Sequence, residues 1–306
     1  MRRLLALGLL APLALTACGQ GGTSESAAPG SSAPADSTDR TFDVSGVQKV
    51  EEIAALLPQS VKDKGTLVVG ASTDYAPAEF RADDLQTAIG YDVDLSKALG
   101  RVLGLEAEVV DGEFASLLPG IGSKYDIGIS SFTINEERTA NYNMVAYITV
   151  GSSYAVKAGN PEGFNPDDVC GQSIAVQTGT YQDEELAGFS ETCEADGKEK
   201  IDILQYGRQS DATTNVVGGK AVAFYADSTV ADYAATLTNG QMEIVGGIRD
   251  AAPQGIVVAQ DDAALTEAMQ KAMQSLMDDG TWGKILDAWG IEADAAMTTA
   301  ELYPQA

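Results

Sequence analysis

"YDVDLSKALGRVLGLEAEVVDGEFASLLPGIGSKYDIGISS", residues 91–131, changes rhythm three times. Val93, Leu95, Leu99, Val102 and Leu103 recur at the spacing of one helix face, so 91–104 reads as a helix. "LEAEVVD" (105–111) reads as a strand, "FASLLPGIGSKY" (114–125) as a helix and "DIGISS" (126–131) as the next strand. Ahead of them "TLVVGAS" (66–72) is a compact apolar run ending in small residues, the mark of a buried parallel strand. Strand, helix, strand, helix, strand in short order predicts a doubly wound α/β sheet.

Working outward, Val50 to Lys64 carries a helical pattern with Ile53, Leu56 and Leu57 on one side. After residue 150 the pattern starts again. "YAVKAGN" (154–160) reads as a connecting strand, and "SIAVQTGT" (173–180) as a buried strand with a Gly-Thr turn before the helical "YQDEELAGF". "KIDILQYG" is a strand, 208–219 a helix, and "AVAFYAD" (221–227) a strand ending in an acid. "QMEIVGGI" and "GIVVAQ" read as two further strands, and two helical patterns close the chain. Leu265, Met269, Met273, Leu276 and Met277 form one stripe, read as core. Two similar α/β units follow from this. Ligands in such sheets sit at the carboxyl ends of strands. Four of those ends are polar here: Ser72, Ser130 to Thr133, Gly179-Thr180 and Asp227.

Composition narrows the function. The chain has 306 residues, a net charge of −26 and no histidine. The acidity argues against nucleic acid and anionic lipid as electrostatic partners. The missing histidine removes Ser-His-Asp and Cys-His nucleophile systems and His-containing metal sites. No Walker-type loop is present, and Gly120-Ile-Gly122 lacks the third glycine of a dinucleotide fingerprint. No metal or cofactor is expected.

The first residues, "MRRLLALGLLAPLALTAC", have a basic start and an apolar stretch too short to span a bilayer. Leu15-Thr16-Ala17-Cys18 resembles a lipoprotein signal, which makes 1–17 a signal peptide and Cys18 the lipidated first residue. Residues 18–45 then form a tether. Its Gly/Ser/Ala/Pro-rich part (19–41) cannot build a core and reaches about 25–30 Å as a random coil. Outside the cytosol the remaining cysteines, Cys170 and Cys193, are expected to form a disulfide, and their spacing fits no metal pattern.

Six stretches in order, "GTLVVGASTDYAPAEF", "GYDVDLSKALG", "FASLLPGIGSKYDIGISSFTINEER", "IAVQTGTYQDE", "AVAFYADS" and "DGTWGKILDAWG", resemble the bacterial ABC-transporter solute-binding proteins of the polar amino acid class. The resemblance implies a two-lobed, type II periplasmic-binding-protein-like α/β fold. Lobe 1 is expected from 46–153 and 251–306, with lobe 2, 154–250, inserted between them. Two crossovers near 150–157 and 248–257 would form the hinge. A free amino acid would be held between the lobes by a monomer and passed to ABC permease subunits.

The resemblance also implies the site. Arg138 pairs with the α-carboxylate, because a guanidinium fork gives two parallel charge-assisted hydrogen bonds. Backbone N–H groups near Thr133 assist it; the competing reading is a surface arginine paired with Glu136 or Glu137. Asp227 accepts the α-ammonium, its competing role being helix N-cap. Ser131 shares the ammonium through its carbonyl and Thr133 through its hydroxyl; Ser130, Phe132 and Thr178 lie on the same two turns. From lobe 2 the Thr180-Tyr181 backbone reaches the carboxylate, although the family usually has threonine where Tyr181 stands. Tyr75 and Phe114 sandwich the ligand side chain. Ser72 stands where binders of basic amino acids carry an acid, with Asp74 and Glu113 nearby as substitutes, and Ala78 stands where many relatives have Phe. A neutral polar ligand such as glutamine is the expectation from these positions. The rival readings are a cyclohexadienyl dehydratase-like enzyme and a ligand-sensing lipoprotein on the same fold.

Overall fold

The structure, a computed structural model, describes residues 40–304. The expected signal peptide, Cys18 and the tether up to residue 39 lie outside the described residues. The described chain opens with helices α1 (Glu51–Ala54) and α2 (Gln59–Lys64). The spacing predicts one helix over 50–64; Pro58, which has no N–H to continue the ladder, divides it in two. Strand β1 (Thr66–Ala71) follows, then the small hairpin β2 (Phe80–Arg81) and β3 (Ala88–Ile89). Helix α3 (Tyr91–Leu103) comes next and ends at Gly104 in the left-handed conformation, with Asp92 and Asp94 in its first turn and Arg101 in its last.

After β4 (Glu106–Asp111), the helix expected over 114–125 shrinks to α4 (Phe114–Leu117) and one 3-10 turn. Pro119 has no N–H for the Ala115 carbonyl, so the α-helix cannot continue. The expected strand 126–131 is also short, β5 (Ile127–Gly128). The chain leaves the sheet there and turns at Ser131, which has φ +50°. Then come α5 (Glu136–Thr139), β6 (Tyr142–Lys157), β7 (Ser173–Gln177), α6 (Tyr181–Ala195), β8 (Asp202–Tyr206), α7 (Gln209–Val217), β9 (Ala223–Asp227) and α8 (Ser228–Leu237). The two strands expected near 241–260 form one, β10 (Met242–Ala259). Helices α9 (Ala263–Asp278) and α10 (Thr281–Ala288) and strand β11 (Leu302–Tyr303) finish the described chain.

The strands make one nine-stranded sheet in the order β4-β1-β5-β10-β6-β9-β7-β8, with β11 on β6. Strands β4, β1 and β5 are parallel and define lobe 1; β9, β7 and β8 are parallel and define lobe 2. Only β6 and β10 serve both. The first part of β6 pairs with the end of β10 beside β5, while Ser152 to Val156 pair with β9. The lobes are therefore two ends of one sheet, joined by two antiparallel strands. Their pairing slips between Val245 and Arg249 and again between Arg249 and Ala252, with Gly246 and Asp250 at positive φ. At this slip Gly151 touches the neighbouring strand. A Cβ there would lie 2.3 Å from Ile248 Cγ2 and 2.6 Å from the Arg249 carbonyl oxygen.

One apolar cluster runs from lobe 1 into lobe 2, where it takes in Ala212, Val216, Phe224 and Val230, and lobe 2 holds a second cluster of its own. In lobe 1 the stripe Leu265, Met269, Met273 and Leu276 is core, packed with Leu95, Leu99 and Trp282. The two indole N–H groups find acceptors, Trp282 at the Tyr147 carbonyl (2.8 Å) and Trp289 at Asp94 Oδ2 (2.9 Å). In lobe 2, Tyr154, Ile174, Val176, Leu186 and Tyr225 form the core. Cys170 and Cys193 are disulfide-bonded, tying the segment before β7 to α6. Closing a loop with a sequence separation of 23 removes unfolded-state entropy worth about 3 kcal/mol. Replacing both cysteines with alanine lowers unfolding free energy by about that amount; an unchanged denaturation midpoint would show that the bridge adds nothing. Among the described residues no helix is long and apolar enough to cross a membrane.

Candidate functional site

The lobes meet along the carboxyl ends of β1, β5, β7 and β9. Asn135 caps α5 by accepting from the Arg138 N–H (2.9 Å), which fixes Arg138 in that helix's only turn. Arg138 is 4 % exposed, so it is not a surface arginine. Its Nη1 donates to the Thr133 carbonyl (2.8 Å) and its Nη2 reaches across to the Gly179 carbonyl (3.3 Å). Its guanidinium lies 5.7 Å from the Phe114 ring centre and 5.8 Å from that of Phe132, and these rings stack on each other at 4.9 Å. Burial lowers the Arg138 pKa, opposed by the Glu184, Asp227 and Glu137 carboxylates; the residue stays a cation.

On the lobe 2 side Asp227 is 3 % exposed. It stands at the first position before α8 but makes no side-chain cap. Both its oxygens accept amide hydrogens instead: Oδ1 from Gln182 (2.8 Å) and Oδ2 from Gln254 (2.7 Å). Its own N–H donates to the Tyr75 hydroxyl (3.1 Å). Burial raises its pKa to about 6, with the two glutamines and Arg138 pulling it back down. A buried carboxylate held by two neutral donors and facing a buried guanidinium is unfinished electrostatically; a zwitterion between them would complete both.

The other expected residues divide by where their polar atoms go. Ser130 Oγ donates to Glu79 Oε1 and accepts from the Ser72 N–H, so it braces the turn. Ser131 gives its N–H (2.9 Å) and hydroxyl (3.3 Å) to Asp92. Thr133 is bridged to Gln254. Thr180 caps α6, accepting from the Asp183 N–H, and Thr178 Oγ1 donates to the Tyr206 carbonyl. The Tyr181 hydroxyl has Glu185 as its neighbour, and burial with the nearby acids raises its pKa. Phe114 thus belongs to the Arg138 side and Tyr75 to the Asp227 side.

Beyond them the lobes meet around Asp74. Its Oδ2 accepts from the Ser210 hydroxyl (3.2 Å) and N–H (3.4 Å) of α7, and its Oδ1 from the Ser72 hydroxyl (3.2 Å). Gln177 donates to Ser72 Oγ (3.2 Å), leaving its own Oε1 buried without a donor; both amide atoms of buried Gln209 also lack partners. Asp111 binds Arg208 at 3.3 Å, and Glu113 stands exposed over Gly207. Burial raises the Asp74 pKa, with Ser210, Arg208 and Ser72 working against it.

Sequence reading missed the four glutamines, Gln177, Gln182, Gln209 and Gln254. Three sit in polar helix starts or strand ends where nothing marks them. Gln254 did carry a signal, as a lone amide between Pro253 and the apolar run Gly255 to Ala259.

A family model described as bacterial extracellular solute-binding proteins, family 3, matches residues 67–292. The arginine-binding protein ArgT of Corynebacterium glutamicum is 36 % identical over 79 % of this chain and 80 % of its own length. Among solved structures, the P235GK mutant of ArgBP from T. maritima has a TM-score of 0.69 and 29 % identity, covering 76 % of this chain and 97 % of that one. An ancestral arginine-binding protein solved with glutamine has a TM-score of 0.67 and 28 % identity, covering 74 % and 99 %.

Proposed function

Because the chain belongs to the family 3 bacterial extracellular solute-binding proteins, we propose that it captures a cationic amino acid, L-arginine first, between its lobes for an ABC importer. Lobe 1 comprises 46–153 and 251–306 and lobe 2 comprises 154–250. Arg138 takes the α-carboxylate, helped by the backbone at Thr133 and at Thr180-Tyr181. Asp227 takes the α-ammonium with the Ser131 carbonyl and the Thr133 hydroxyl. Phe114 and Tyr75 flank the stem, with Phe132 behind Phe114; Ser72, Ser130 and Thr178 shape the turns around it. Asp74 is the counter-charge for the side chain, joined by the free acceptors of Gln177 and Gln209.

The observation that carries this reading is that Arg138, after β5, and Asp227, at the end of β9, are both buried and feel each other's charge. Only a ligand touching both lobes lowers the closed arrangement relative to the open one, so capture and closure are one event. The permease subunits are the partners that receive the ligand. The protein works as a monomer outside the cytoplasm, held at the cell membrane by a lipid on Cys18, and it is not an enzyme.

Glutamine is the second reading. Ser72 supplies no charge, the cleft has unpaired amides, and a similar ancestral protein was solved with it. Calorimetric titration of the mature protein with both ligands separates them. Arginine binds more tightly, and Asp74→Asn weakens arginine by about 10–100-fold, the worth of one hydrogen bond to a charged group, and weakens glutamine less. Tighter binding of glutamine, or an Asp74→Asn variant with full arginine affinity, refutes the cationic assignment.

A further inference from the structure

Two acids beneath the ligand turn belong to none of the contacts proposed above. Glu79 is 0 % exposed and Asp92 1 %. They are brought together by backbone. The turn from Tyr75 to Glu79 lies against the start of α3, where the Tyr91 and Asp92 N–H groups donate to the Pro77 (3.2 Å) and Ala78 (2.9 Å) carbonyls. The approach is so close that a Cβ on Gly90, at φ +131°, would lie 2.1 Å from the Ala78 oxygen.

Each carboxyl spends one oxygen on the turn that carries the ligand contacts. Glu79 Oε1 accepts from Ser130, while Asp92 Oδ2 accepts from the Ser131 N–H, the Ser131 hydroxyl and the Tyr147 hydroxyl (3.0 Å). The other two oxygens, Glu79 Oε2 and Asp92 Oδ1, are buried and receive no donor. Yet the two carboxyls belong to one small cluster: Asp92 N–H donates to the carbonyl of Ala78, the residue before Glu79, and the two acids brace consecutive residues, Ser130 and Ser131. Two ionised carboxylates buried in one such cluster repel each other, and a hydrogen on one of them relieves that. No ion pair among the described residues involves either acid. What faces them is acidic or phenolic: Asp74 and Tyr75 from the preceding segment, Tyr91 of α3, Tyr147 of β6 and Asp227 at the end of β9.

We propose that Glu79 and Asp92 share a single proton and together act as positioning residues for the Ser130-Ser131 turn, so that this turn loosens when the proton leaves. Like charges in one dry cluster with no cation beside them cannot both persist. Burial raises the carboxyl pKa values in the same direction, Asp92 to about 7 and Glu79 well above its ordinary range. Ser131 sits at positive φ, a conformation that serine holds only when surroundings fix it, and Asp92 is what fixes its N–H.

The decisive measurement is amide hydrogen exchange at Ser131 in the ligand-free protein, expressed as a protection factor to remove intrinsic base catalysis. In the natural protein protection is greatest at low pH, falls by up to tenfold per pH unit as pH rises towards the point where the closed turn gives up the shared proton, and levels off once that proton has gone. Glu79→Ala is poorly protected at every pH. Glu79→Gln, whose amide donates to Asp92 without titrating, stays protected through the alkaline range. Infrared difference spectra of the natural protein against Glu79→Gln at neutral pH show the carbonyl stretch of a protonated carboxyl, which tests the idea without relying on the alanine variant. A protection factor that is flat with pH in the natural protein, or that falls equally in Glu79→Gln, overturns the proposal, as does the absence of that stretch. The effect on amino acid affinity rests on the ligand assignment above: affinity falls with Ser131 protection in the natural protein and not in Glu79→Gln. If no amino acid binds, the ligand assignment fails while the exchange and infrared results still decide the shared proton.

Discussion

Arg138→Ala weakens amino acid binding by two to three orders of magnitude while the protein stays folded. The guanidinium is buried against Phe114 and Phe132, so it meets a carboxylate in a place water does not screen. Two charge-assisted hydrogen bonds to one carboxylate contribute about 3–5 kcal/mol together, or roughly a factor of a hundred to several thousand in Kd. Arg138→Lys keeps the charge and loses the fork, so its Kd falls between the two. Calorimetric titration with circular dichroism as a fold control measures this. A folded Arg138→Ala protein with a Kd within threefold of the natural one removes Arg138 from the site.

Asp227→Asn produces the second large loss, and it changes the pH profile as well. The substitution deletes the charge that meets the ammonium and turns an NH2 group towards Gln182 or Gln254, both of which already point donors at this position. Breaking such a buried charge pair costs about 3–5 kcal/mol. In the natural protein the Asp227 pKa stands raised to about 6, above its unfolded value. Its neutral form is therefore favoured by folding. The stability it contributes to the ligand-free protein is full below about pH 4 and is lost as pH rises through about 6. Binding runs the other way, because the ammonium needs the ionised carboxylate. Affinity rises with pH up to and through about 6, and Asp227→Asn abolishes that rise. A natural protein whose affinity is level from pH 5 to pH 7 would contradict the assignment.

The fold was legible because its signals are local and repeated. The α3 stripe, the short apolar strands and the six ordered motifs each follow from spacing or resemblance. Errors came where a few residues broke a pattern: Pro58 and Pro119 cut helices that the apolar spacing alone would continue, and the stretch 249–254, with Arg249, Asp250 and Pro253, looked like a break between two strands when β10 runs through it. The charged members of the site, Arg138 and Asp227, stood out as polar residues closing apolar strands or opening turns. The glutamines and the Glu79 and Asp92 pair did not, since their partners lie far along the chain: 45 residues separate Gln182 from Asp227 and 51 separate Ser130 from Glu79. Such contacts exist only once the sheet has brought the strand ends together.

Gly151 gives this molecule a tuning point in the connecting strands, one residue from Ser152, which pairs with Asp227. It touches the slipped partner strand between the lobes and none of the groups proposed to hold the ligand. Any larger side chain would wedge the two connecting strands apart, altering the fraction of molecules ready to bind, and observed affinity scales with that fraction. A lineage carrying this sheet could therefore drift in how much nutrient it needs to sense or scavenge without altering which nutrient it prefers.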